Sequence, residues 1–126
     1  AQALDAVAKS NLSRSSLLAK LIDVYLSAAH RDGLATSCAV TTLAGDVARS
    51  NDHRVRSAYA RQVGTYLELL ARLIAGDKHR ARRMKAIAAL STLVGAVSMA
   101  RAVNDEKLSR EILKSAADEL KAQLGC

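Results

Sequence analysis

Residues 79–105, HRARRMKAIAALSTLVGAVSMARAVND, decide the fold of this 126-residue chain. After a basic opening, large apolar residues recur three and four positions apart, as on one face of a helix: Ile87, Leu90, Val94 and Val97. We expect this face to pack against the chain's own helices. At about 1.5 Å per residue the helix would be a rod of roughly 37 Å, long enough to span a small domain. Asp77 is predicted to cap it, and Asn104 or Asp105 to cap the next helix.

A second face of the same helix carries small side chains, which allow another helix to approach closely or to repeat the contact as a symmetric pair. They are Ser91, Gly95, Ser98 and Ala102. The last helix also has two apolar faces, so we expect one to pack on its own chain and the other on a partner. From that helix Ile112, Ala116 and Leu120 join the candidate dimer interface.

The composition predicts an all-α fold. The chain lacks proline, phenylalanine and tryptophan, and half of its residues are hydrophobic. Such a sequence favours helix throughout and offers few aromatic residues for strands. Ser13 and the pair Asn51-Asp52 are plausible N-caps. We predict a bundle of about six helices, at residues 1–10, 14–31, 38–50, 53–75, 79–103 and 106–124.

The net charge of +7 is concentrated in one part of the chain. Residues 1–48 and 86–126 are each balanced, whereas residues 49–85 carry ten basic side chains against three acidic ones. This basic span has two interpretations, a surface that faces phosphate groups and a solvated surface without a partner. We favour solvation, because no aromatic or glycine-rich readout element accompanies the charges.

Several function classes lack their characteristic residues. The three histidines are not spaced as metal ligands or as a catalytic set, so we expect neither an enzyme nor a metal or cofactor site. No stretch reaches the length of uninterrupted apolar residues that a membrane span needs, which favours a soluble, cytoplasmic protein. Cys38 and Cys126 do not form a disulfide framework, and we expect reduced thiols. The chain starts at Ala1 without methionine, a hint of a fragment, a processed product or the ordered part of something longer.

The tyrosines indicate a candidate pocket. Tyr59 and Tyr66 are seven residues apart on one helical face, and Tyr25 lies on the apolar stripe of an earlier helix. Their rings would suit a mostly apolar pocket with a few polar groups, although plain core packing is the alternative. Met84 and Met99 are further candidates for its lining. The predicted pocket residues are Tyr25, Cys38, Tyr59, Val63, Tyr66, Leu90 and Val94.

Three segments, in order, resemble the C-terminal domain of TetR/AcrR-type transcriptional regulators. They are CAVTTLAGDVARS at 38–50, VRSAY at 55–59 and LSTLVGAVSMARAVND at 90–105, followed by a last helix. The likeness extends over nearly the whole chain. It departs from the pattern at Ser37, where many relatives have glycine, and at Ala39, where proline is common.

This resemblance implies a division of labour. Such regulators read operator DNA with an N-terminal helix-turn-helix domain, which this chain lacks, and sense a small effector with a helical C-terminal domain. Residues 1–126 would then be the effector-binding and dimerisation domain, with residues 1–10 linking it to the DNA-binding domain. The homodimer would form through 79–103 and 106–124 as an intersubunit four-helix bundle. Operator DNA would be bound only through the missing domain.

A second function is compatible with the same residues. The chain would then be a stand-alone helical adaptor whose basic span contacts nucleic acid or an acidic protein. Salt-dependent DNA binding that is lost on neutralising Arg80, Arg82 and Arg83 would distinguish it from the effector-binding domain.

Overall fold

The computed structural model describes residues 13–33 and 39–126, and within them the chain is helical, with no β-strand. We number the described helices in chain order. They are α1 (Arg14–Tyr25), α2 (Ala28–Asp32), α3 (Ala39–Ala48), α4 (His53–Leu73), α5 (His79–Ala102) and α6 (Glu106–Leu124). The predicted all-α fold is confirmed for these ranges, and the helix predicted at 1–10 lies outside them.

Side-chain caps fix the starts of four described helices, and three of these caps were predicted from the sequence. Ser13, Asp52 and Asp105 accept backbone N–H groups of the first turns of α1, α4 and α6, as their sequence positions predict. The prediction for α5 was wrong: its N-cap is Lys78 rather than Asp77, and no side chain bonds there. Helix α5 therefore begins without a side-chain acceptor for its first N–H groups.

The helix expected over residues 14–31 is broken in two. Ser27 donates its hydroxyl to the Val24 carbonyl at 2.7 Å and accepts the His30 N–H at 3.1 Å. Because these bonds end one helix and cap the next, α1 and α2 are separate helices. The short helix α2 is thereby placed against α5.

Helix α5 is the centre of the bundle and packs against α2, α3, α4 and α6. Alanine makes up more than half of its buried face, which consists of Ala86, Ala89, Leu90, Leu93, Ala96, Val97 and Ala100. Ile87, which we expected on this face, is 46% exposed, and Val94 is only half-buried. The apolar spacing misplaced the face because it counted large residues, whereas alanines let the neighbouring helices lie close.

Helix α5 is also long and apolar enough, by length and composition, to cross a membrane; its mean hydropathy over 18 residues is 1.2. It is the single helix of the described ranges that meets this criterion. A core helix of a soluble protein has the same properties, and α5 contributes seven buried residues to the core. The criterion is therefore weak evidence for a membrane span.

Candidate ligand pocket and dimer face

Two of the predicted pocket tyrosines meet in the core. Tyr25 and Tyr66 are buried and line one small enclosed cavity, together with Leu21, Leu69, Leu70, Leu90 and Leu93. Its volume is about 10 Å³, barely the space that one water molecule requires. Tyr25 and Tyr66 thus lie at an apolar junction of α1, α4 and α5, which is closed in this structure.

Tyrosine hydroxyls attach α3 to the helices beneath it. The Tyr25 hydroxyl is hydrogen-bonded to Thr41 Oγ1, and both residues are buried. The Tyr59 hydroxyl donates to the Val40 carbonyl at 2.9 Å. Val40 is itself buried, and Arg56 of α4 also donates through Nη1 to the Val47 and Ala48 carbonyls at the end of α3. Helix α3 is therefore held by an apolar contact and by side-chain hydrogen bonds from α1 and α4. The hydroxyls of Tyr25 and Tyr59 therefore have partners on α3.

The other predicted pocket residues lie in different places. Tyr59, Val63 and Val94 are partly buried and pack against the core without lining the cavity. Met84 and Met99 are 63% and 54% exposed, so the expectation that they line it was wrong. Both lie on the solvent-exposed side of α5. Cys38 lies outside the described residues.

His30 is a polar core contact that the sequence did not reveal. Its Nδ1 donates to the Tyr25 carbonyl at 2.7 Å, and its ring centroid lies 4.5 Å from that of Tyr25. Burial lowers the pKa of His30 below its usual value of 6.5, and the nearby Arg101 cation lowers it further, although the hydrogen bond to Tyr25 opposes this. The position of His30 beside an arginine near a helix end predicts an exposed residue. In the structure His30 is half-buried, and its neutral ring packs against the ring of Tyr25.

Acidification should therefore destabilise the fold through His30. Because its pKa in the folded chain is below 6.5, the unfolded chain takes up a proton first as the pH falls past that value. We expect the melting temperature to fall as the pH drops below 6.5 toward the folded pKa. In His30→Gln that part of the slope should vanish in thermal melts followed by circular dichroism. An unchanged slope would assign the pH dependence to other groups.

A buried arginine joins α2 to the start of α6. The Arg31 side chain is only 9% exposed; it donates to both carboxylate oxygens of Asp32, to Glu106 Oε1 at 3.0 Å and to Ser109 Oγ at 2.9 Å. Ser109 in turn donates to the Ala100 carbonyl at 2.7 Å. This network gives a buried cation both counter-charges and hydrogen bonds, so it positions the break after Tyr25 relative to α5 and α6.

The predicted small-residue row lies on the surface of α5. Ser91, Ser98 and Ala102 are exposed and Gly95 is half-buried; a Cβ built on Gly95 meets no atom within 4 Å. Exposed Ala88 continues the row, although the sequence pattern did not include it. Positions 84, 88, 91, 95, 98 and 102 alternate steps of four and three, the spacing of a helix–helix seam.

Large apolar side chains accompany this row. Of the six exposed ones in the described ranges, four belong to α5 and α6, namely Met84, Ile87, Met99 and Leu108. Ile112 and Ala116 of α6 are half-buried, so part of each side chain is accessible for contact with a partner. Leu120 is 2% exposed and belongs to the chain's own core, so it is removed from the candidate interface. We use the name outer face for the small row of α5 together with Met84, Ile87 and Met99 of α5 and Leu108, Ile112 and Ala116 of α6.

Metal and thiol chemistry add little within the described residues. No group of three or more histidine, cysteine or acidic side chains there is arranged to hold a metal ion. Cys126 is a free, half-buried thiol whose pKa is raised by burial.

The fold and site together define an all-α protein with a closed apolar junction and an exposed, small-residue helix face. No protein-family model, curated protein or solved structure matches the chain.

Proposed function

We propose that this chain is the effector-sensing and dimerisation domain of a TetR-type transcriptional repressor. In this function it binds a small, mostly apolar molecule at the junction of α1, α4 and α5. It forms a homodimer through the outer face and transmits effector binding to a DNA-binding domain outside this chain. The observation that carries the proposal is the outer face itself, because it concentrates exposed apolar residues on the two helices that the family resemblance assigns to dimerisation.

Physical chemistry favours a second copy as the occupant of the outer face. Exposed Met84, Ile87 and Met99 flank the small row, and apolar surface gathered in this way is costly in water. The hydroxyl of Ser91 donates to the Ile87 carbonyl at 2.8 Å within its own helix, so that serine presents little unsatisfied polar surface. A row of small residues lets two copies of α5 approach closely, and a two-fold axis applies the same row to both partners.

The apolar lining of the junction and the tyrosine hydroxyls beside it support an effector site. Leucines and two tyrosines surround it, and the hydroxyls of Tyr25 and Tyr59 bond to α3. An apolar molecule entering there must displace lining side chains such as Tyr25, whose hydroxyl bonds to Thr41 of α3, because the existing cavity of about 10 Å³ is too small for it. Binding would thus favour a different position of α3, which is the conformational change that an effector needs in order to act.

Sedimentation velocity on the 126-residue chain tests the dimer. At micromolar concentration we expect a single species with twice the chain mass of 13.4 kDa, because burying the outer face compensates for the entropy lost on association. A chain that remains monomeric across the micromolar range would contradict the proposal, whatever its effector. Adding salt should leave a dimer held by apolar contacts intact.

A further inference from the structure

A basic cavity lies where α4 ends and α5 begins, away from the apolar junction. Its volume is about 240 Å³, and its lining consists of Glu68, Ala71, Arg72, His79, Arg82 and Arg83. Three arginines face one carboxylate, so the lining carries a positive excess without counting His79. None of the three arginines has a salt bridge within the described residues.

Arg82 lies on the same side of α5 as the buried alanines of that helix. It lies four residues before Ala86 on the inner face of α5, and its side-chain stem packs on Gly76, where a Cβ would come within 3.4 Å of Arg82 Cγ. Gly76 has a φ of +142°, which a larger residue would rarely adopt. The loop thus leaves room for the arginine stem.

The Nε of Arg82 is buried and has no hydrogen-bond partner among the described residues. A buried donor without an acceptor costs free energy, because its hydrogen bond to water is lost on folding. The positive charge of Arg82 is also unfavourable here, because it lies near the positive end of the α5 dipole. The first turn of α5 has neither an acidic residue nor a side-chain cap to offset it. An anion in the cavity would lie beside the guanidinium groups that line it and would offset the unfavourable charge at this helix end.

We infer that this cavity binds a small phosphoryl anion, such as phosphate or diphosphate. Guanidinium groups match the oxygens of a phosphoryl group in pairs, and several around one cavity bind more tightly than isolated surface charges. The cavity of about 240 Å³ is smaller than the pockets of drug-sized ligands. Its size therefore favours the small anion over a nucleic-acid strand. The inference is independent of the effector and dimer proposals.

Calorimetric titration of the full chain with inorganic diphosphate, in low-salt buffer, tests the site. We expect one site per chain, and an affinity at least about tenfold weaker in Arg82→Gln. Arg61→Gln is the matched control, because Arg61 is exposed on α4, lacks a salt bridge in the described structure and does not line the cavity. That variant should bind within about twofold of the original chain.

Thermal melts keep the test decisive if Arg82→Gln is altered in stability. Diphosphate should raise the melting temperature of the original chain and of Arg61→Gln but not that of Arg82→Gln. Absence of heat and of a melting shift at about 10 mM diphosphate would overturn the inference. Equal losses in both variants, or tight binding of duplex DNA with none of diphosphate, would also overturn it, because they indicate a diffuse basic surface.

Discussion

Glutamate at position 95 is expected to convert the dimer into a folded monomer. Gly95 lies in the middle of the small row, and a Cβ there meets no atom of its own chain within 4 Å. The substitution should therefore leave the monomer intact, and it replaces glycine by a better helix former. In a close helix pair the two carboxylates would be desolvated near the symmetry axis without cationic partners. Such a cost, about 3 kcal/mol or more, raises the dissociation constant at least about 100-fold.

Gly64→Glu provides a matched control for this variant. Gly64 is also a half-buried helical glycine at which an added Cβ would meet no atom within 4 Å, but it lies on α4, outside the outer face. Sedimentation should show a dimer for Gly64→Glu and a monomer for Gly95→Glu, with equal helix content by circular dichroism. A folded, dimeric Gly95→Glu protein would mean that the copies associate through another surface.

Helix bounds could be predicted from the sequence because caps act locally. The last helix is predicted at 106–124 and lies at Glu106–Leu124; Asp105 caps it through the Leu108 N–H at 3.1 Å. The start of α4 follows equally from Asp52. Within a few residues of the chain, the donor, the acceptor and the apolar spacing are all visible in the sequence.

The break after Tyr25 was missed for a physical reason that is also local. Ser27 bonds both to Val24 and to His30, and a serine can cap a new helix wherever the chain allows it. The apolar stripe continues through Ala28, so periodicity alone predicts one helix. A serine three residues before His30 was the available signal.

The candidate site was only partly predictable because it depends on contacts between distant residues. Spacing brought Tyr66 and Leu90 toward one junction with Tyr25, as the structure has them. It did not reveal that the Tyr25 hydroxyl would meet Thr41, sixteen residues away. Nor did it reveal that α5 would bury alanines and expose Ile87. Which face a central helix buries is decided by its neighbours, whose side-chain sizes must fit together.

Truncating Leu93 to alanine is expected to have the largest effect on stability. Leu93 is 1% exposed, lies in the middle of α5 and lines the closed cavity. Removing its isobutyl group loses buried apolar contacts and enlarges the void, a change that costs about 2–5 kcal/mol in a core. Chemical denaturation should show the midpoint falling accordingly. Leu43→Ala is the control, because Leu43 is 44% exposed and should cost less than about 1 kcal/mol.

The same variant tests whether the junction of α1, α4 and α5 can hold an apolar molecule. Leu93→Ala enlarges the cavity at this junction, because Leu93 is one of the side chains that line it. Benzene-sized compounds should then recover part of the lost stability, since a dry apolar cavity of that size binds them. A melting shift in Leu93→Ala but not in Leu43→Ala would locate the binding at this junction. Without a shift in either variant, the core has collapsed around the missing side chain, and the effector site must be sought elsewhere on the chain.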